Sequence, residues 1–213
     1  MTDARLDFPA TRRNRDAILE VLRRVLPAQG RVLEIGSGSG QHVVHFAADL
    51  PHLRFVPSDL EPEHRDSIAA WTAHLGLDNV EPPLAIDASA GPGVRERVAD
   101  WGVDRVDAVY CANVIHIAPW EVCLGLMAGA AARVGEGAPV ILYGPFKRDG
   151  QHTAPSNEAF DHSLRGRDPR WGVRDLAQVS DVARGHGLEL DEVVEMPANN
   201  LTVVWRRRTT PGD

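Results

Sequence analysis

Short apolar runs alternate with longer amphipathic stretches along the chain. In the stretch from Arg13 to Leu26, Ile18, Val21, Leu22 and Val25 fall at helical spacing with arginines opposite. That pattern predicts a helix, closed by Pro27 and Gly30. Five apolar runs follow: RVLEI, RFVPSD, EPPLAID, VDAVYCANVI and PVILYGPF. Helices are expected between them, from about Gln41 to Leu50, around His64–His74, around Val94–Trp101 and from about Pro119 to Val134. Such alternation predicts an α/β fold, a doubly wound parallel sheet with helices on both faces, in three α/β/α layers. A helix near Val173–His186 then leads to LELDEVVEM and, after PANN, to LTVVWRRR. Two strands so closely joined make a hairpin, so the seven-stranded sheet should finish with an antiparallel strand.

Residues 147–172 break the alternation. They are polar, rich in turn formers, and follow the carboxyl end of a predicted strand, where open α/β sheets bind ligands. They read as a long loop on the substrate side. With 213 residues and no internal repeat or linker, the chain reads as a single domain, 1–213, whose residues 1–27 form an N-terminal helix and lid.

The net charge of −7 argues against a nucleic-acid surface, which needs clustered basic residues. No apolar run is long enough for a membrane span, and the N-terminal MTDARLDFPATRRNRD lacks a secretory core, so a cytoplasmic location is expected, with no membrane partner. Cys111 and Cys123 sit in apolar settings without a CxxC pair, so they read as small core residues and no metal is expected.

The first apolar run ends in VLEIGSGSGQH, Val32 to His42. Glycines at 36, 38 and 40 suit a tight strand-to-helix turn that lets a ligand approach the backbone. A dinucleotide fingerprint would need glycine where Gln41 stands, which disfavours a nicotinamide oxidoreductase, and a P-loop would need GK[ST] at the helix start. Asp59 and Asp87 each close an apolar run downstream. A carboxylate there serves either as a ribose-hydroxyl acceptor or as a helix N-cap.

The pattern E-x-G-x-G-x-G, from Glu34 to Gly40, resembles motif I of class I S-adenosylmethionine (SAM)-dependent methyltransferases, whose sheet is Rossmann-like. The resemblance implies SAM as cofactor, with Glu34, Gly36, Ser37, Gly38, Gly40 and His42 around its amino-acid and ribose portions. It also implies Asp59 and Leu60 at the ribose, Asp87 and Ala88 at the adenine, and Asn113 near the sulfonium. More narrowly, the chain resembles the methyltransferase-like 26 group, a former domain of unknown function. The matches run through Arg13-Asn14, Gln41-His42, Ser58-Asp59, Ser67-Ile68 with Trp71, and Asn113 through His116 to Pro119-Trp120. They continue through Tyr143–Phe146, Ser156-Asn157, Phe160-Asp161, Asp168-Pro with Trp171-Gly172, and Pro197–Asn200. Ala4–Ala10 and the tail after Trp205 carry no such signal.

Within that frame Arg13 and Asn14 either close over the cofactor carboxylate or form a solvated helix start. His116 is the candidate proton acceptor, or else it orients the cofactor or lines the acceptor pocket. Trp120, Tyr143, Phe146, Asn157, Arg165 and Trp171 complete an acceptor pocket of aromatic walls with a few polar groups. Trp171 and Phe160 are alternatively core anchors, while Arg165 and Arg167 either favour an acidic acceptor or pair with Asp161 and Asp168. Asn199-Asn200 reads as a hairpin turn and Arg206–Arg208 as a solvated strand end. The expected protein is a monomeric or weakly dimeric methyltransferase acting on a small-molecule acceptor. The alternative is a non-catalytic SAM- or nucleoside-binding regulatory protein.

Overall fold

The computed structural model describes residues 3–89 and 101–208. The first helix, α1 (Pro9–Val25), buries Ile18, Leu19, Val21, Leu22 and Val25 and carries Arg23 and Arg24 in its last turn, where positive charge complements the helix dipole. Then come β1 (Gly30–Ile35), α2 (Gln41–Asp49), β2 (Leu53–Ser58) and α3 (Pro62–Leu75). The chain continues through β3 (Ala108–Ala112), α4 (Trp120–Arg133) and β4 (Pro139–Gly144). It ends with α6 (Leu176–Gly185), β8 (Leu188–Met196) and β9 (Asn200–Arg207).

The main sheet runs β2-β1-β3-β4-β9-β8, parallel until β9, which pairs antiparallel with both β4 and β8. The expected hairpin is therefore present. Alternate side chains separate two cores. Val32, Ala108, Tyr110, Ile141 and Tyr143 pack with α1 and α2 on one face. Leu33, Ile35, Val109, Cys111, Val140 and Leu142 pack with α4 and α6 on the other. Both cysteines are buried and free. No helix among the described residues is long and apolar enough to cross a membrane.

One expected strand needs correction. EPPLAID does not form a full strand. Residues 79–84 run beside β2 through Phe55 N–Asn79 O, Glu81 N–Phe55 O, Leu84 N–Pro57 O and Asp59 N–Leu84 O, but only as isolated bridges at Val80 and Leu84. Pro82 and Pro83 lack N–H groups and cannot continue the ladder, so among the described residues the sheet has six strands with this segment at the seventh place. The helix expected around Val94–Trp101 lies, but for Trp101, outside the described residues.

Residues 147–172 are not a loop. They contribute to a small second sheet of β5 (Phe146–Arg148), β6 (Gln151–His152) and β7 (Arg174–Asp175), and they form α5 (Pro155–Arg167). The buried stripe of α5 is Asn157, Asp161 and Leu164, at helical spacing, but two of its three members are polar. A hydrophobic pattern cannot reveal such a helix.

Candidate functional site

The carboxyl ends of β1, β2 and β3 open onto one cavity of about 390 Å³. The glycine loop forms its floor. Gly36, Gly38 and Gly40 have φ of 70°, 56° and 85°, a left-handed region that L side chains rarely adopt. A Cβ on Gly40 would come within 2.8 Å of the Ile68 backbone, so this glycine also sets how closely α2 approaches α3.

Asp59 organises the loop. Its Oδ2 accepts from Gly38 N at 2.8 Å, and its Oδ1 accepts from Glu61 N and lies 3.0 Å from His64 Nδ1. A carboxylate has capacity for about four such bonds, so room for a ligand hydroxyl remains. Leu60, Asp87, Ala88, Ser37, His42 and Asn113 line the same cavity, so the structure brings most of the expected cofactor residues together.

Glu34 and Gly40 lie outside the lining, behind the loop. The Glu34 side chain is buried, its Oε2 has no partner, and burial pushes its pKa up to about 7. Burial likewise holds His42 neutral, its pKa depressed to about 3.

A second cavity, of about 650 Å³, adjoins the first and shares Ala10, Asn113 and Ile117 with it. Asn113 stands at the junction in a left-handed conformation (φ 63°), its N–H donating to Tyr143 O at 2.8 Å. Tyr143 and Asn157 line this second cavity, as expected of acceptor residues. Arg13 and Asn14 also line it and do not line the first, which corrects their assignment to the cofactor carboxylate.

Five other assignments are also corrected. His116 lines neither cavity. It is fully buried, packed edge-on against Phe146 at 5.0 Å, and its Nδ1 accepts from Arg174 N at 3.2 Å. Burial, with Arg174 close by, depresses its pKa to about 3. It is a structural joint between the β3 loop and β7, out of reach of a substrate in either cavity. Phe146 is a core residue. Trp120 stacks under the Arg174 guanidinium at 5.6 Å. Arg165 pairs with Asp161 at 3.3 Å, and Trp171 closes a turn onto Asp168 O. None of these four lines either cavity.

The sequence reading placed the segment before α1 within an N-terminal lid but named none of its residues for the site. Leu6 N donates to Ser67 Oγ at 2.8 Å, Trp71 Nε1 donates to Leu6 O at 2.9 Å, and Phe8 N donates to Gln41 Oε1 at 2.7 Å. These bonds set the Phe8 ring edge-on to His64 at 5.7 Å on the wall of the first cavity. The β8–β9 turn was read as a plain turn, yet Pro197, Ala198 and Asn200 line the second cavity. Asn157 Nδ2 ties α5 to that turn by donating to Asn199 O at 2.8 Å. Among the described residues no group of three or more His, Cys, Asp or Glu side chains could hold a metal.

Residues 5–207 match a family described as a protein of unknown function, DUF938. The chain belongs to that family. This DUF938 protein shares its fold with solved methyltransferases. An O-methyltransferase family protein from Burkholderia thailandensis superposes with a TM-score of 0.75 over 91% of this chain, at 15% identity. An O-methyltransferase family 2 protein from Planctomyces limnophilus, solved with apigenin, gives 0.74 over 93% at 19% identity. CalO1, a methyltransferase of calicheamicin biosynthesis in its SAH-bound form, gives 0.66 over 90% at 18% identity. The DUF938 chain spans a little over half of each of these proteins, 56%, 58% and 53% respectively.

Proposed function

We propose that this protein is a SAM-dependent methyltransferase acting on a small molecule, of the methyltransferase-like 26 type within its family. The observation that carries the reading is the junction of two cavities at Asn113, one over a glycine loop with a carboxylate at the next strand end, the other lined by amides, hydroxyls, one arginine and apolar side chains. A protein that only senses SAM needs the first cavity and has no use for the second.

The residues fit the cofactor. Gly36, Ser37 and Gly38 leave the backbone bare beneath the cavity, where a Cβ on Gly38 would meet Phe8 at 3.2 Å. Asp59 and Leu60 would hold the ribose, Asp87 and Ala88 the adenine, and Asn113 would lie near the sulfonium, with the buried Glu34 shaping the loop from behind. When bound, SAM supplies a methyl group already activated by the positive sulfur. The chain's own task is then to align an acceptor and keep water out. Among the described residues the second cavity offers no carboxylate or histidine side chain as a base. The buried Tyr143 hydroxyl, its pKa raised by burial, orients an acceptor by donating a hydrogen bond.

Calorimetric titration with SAM, S-adenosylhomocysteine and NAD tests the reading. Binding of both adenosyl ligands without NAD is expected. Binding of NAD alone, or of none of the three, would overturn it.

A further inference from the structure

Four of the six large hydrophobic side chains that stand exposed among the described residues, Phe8, Leu60, Ile117 and Phe160, line the two cavities. Exposed apolar area concentrated in this way awaits a ligand. In the second cavity Ile117 and Phe160 are joined by Pro145 and Pro197, which form apolar walls.

Asn14, on the wall of that cavity, has a definite orientation. His42 Nε2 lies 2.8 Å from Asn14 Oδ1, so the neutral imidazole carries its proton on Nε2 and donates it. Asn14 lines the second cavity together with Tyr143. Tyr143 lines the same cavity, where a phenol O–H can donate to a ligand.

Charge points the same way. Arg13 lines the cavity and makes no ion pair with any described residue. No Asp or Glu among the described residues lines it. Ser156 and Asn157, in the first turn of α5, add the positive end of a helix dipole.

We infer that the second cavity binds a small organic carboxylate, its anionic end held by Arg13 and the Tyr143 hydroxyl and its apolar body between Ile117 and Phe160. This names the acceptor class of the methyltransferase proposed above and rests on that reading for its catalytic meaning. A single guanidinium and a single hydroxyl suit one negative charge better than the two of a phosphate monoester.

The test is titration of the full chain, with and without S-adenosylhomocysteine, against 4-hydroxybenzoate, 4-hydroxybenzamide, tyramine and phenyl phosphate, read by saturation-transfer NMR and calorimetry. The carboxylate should bind at least about tenfold tighter than the amide and the amine, and tighter than the phosphate. Arg13→Gln and Tyr143→Phe, each checked for fold by circular dichroism, should each weaken the carboxylate about tenfold and leave the amide unchanged. Because Arg13 is exposed, its variant keeps the test valid if loss of the Tyr143 hydroxyl unsettles the fold. Equal binding of carboxylate and amide, a preference for the amine or the phosphate, or binding of none of the four overturns the inference. If the carboxylate binds and S-adenosylhomocysteine does not, the anion site stands and the methyltransferase reading falls.

Discussion

Gln41 Oε1 accepts from the backbone N–H of Phe8 at 2.7 Å, so the residue that breaks the dinucleotide glycine pattern is the one that fastens the N-terminal segment over the cavity. The same amide donates from Nε2 to Asp7 Oδ1 at 2.8 Å, and Oε1 also accepts from Ser39 Oγ at 3.0 Å. Gln41 is buried, and each of its partners loses a bond if the amide goes. Gln41→Ala should therefore cost about 1–3 kcal/mol in denaturant unfolding. Hydrogen exchange of Leu6 and Phe8 should accelerate more than that of the β3 and β4 amides. Uniform exchange would show that the segment is not held by this side chain.

Asp59 links the glycine loop to the proposed ribose position. Asp59→Ala removes the acceptor of Gly38 N as well as any bond to a ligand hydroxyl. Affinity for S-adenosylhomocysteine should fall at least about tenfold, the worth of one to two lost hydrogen bonds to a charged group. Unchanged affinity by calorimetry would place the ribose elsewhere.

Two glycines with nearly the same φ should respond differently to alanine. Gly40 (φ 85°) has Ile68 Cα 2.8 Å from its would-be Cβ, whereas Gly150 (φ 76°) faces open space. Gly150→Ala should cost only the left-handed strain, about 1–2 kcal/mol. Gly40→Ala adds a backbone clash and should cost at least twice as much by thermal unfolding. Equal losses would mean that α3 yields freely.

Stability should depend on pH through three buried groups. His42 and His116 are held neutral, both with pKa depressed from 6.5 to about 3. The unfolded chain takes up protons there that the folded one refuses. Their contribution is complete above about pH 6.5 and fades as pH falls toward 3, by roughly 1.4 kcal/mol per pH unit for each.

Glu34 works in the opposite sense. Its folded pKa is raised from 4.5 to about 7, so the folded chain holds a proton that the unfolded one has lost, and stability falls as pH rises between those values. Glu34→Gln should make the protein more stable than wild type by about 3 kcal/mol at pH 8, with the difference closing toward pH 4.5. Urea unfolding at a series of pH values checks the histidine and glutamate trends. A Glu34→Gln difference that stays constant with pH would sink the assignment.

Much of the fold was legible in the chain because periodicity reports burial. The amphipathic stripe of α1, the apolar runs of β1 to β4 and the closing hairpin were readable, since each element hides apolar side chains on one or two faces. Helix α5 was hidden because it buries Asn157 and Asp161, whose polarity is satisfied by Thr153, the β8–β9 turn, Lys147 and Val173 N. EPPLAID looked like a strand by hydropathy, but a ladder also needs N–H groups that two prolines lack.

Local chemistry by itself determined the glycine loop, its left-handed backbone, and a carboxylate at the next strand end, because those requirements act between residues near in sequence or on neighbouring strands. Tertiary structure decided which residues share a cavity. It carried Arg13 and Asn14 to the second cavity and turned His116 into the core. It brought Phe8 to the wall of the first cavity and the β8–β9 turn to the wall of the second. Cavity membership depends on where helices meet strand ends across the whole sheet, and side-chain type along a chain carries no record of that distance.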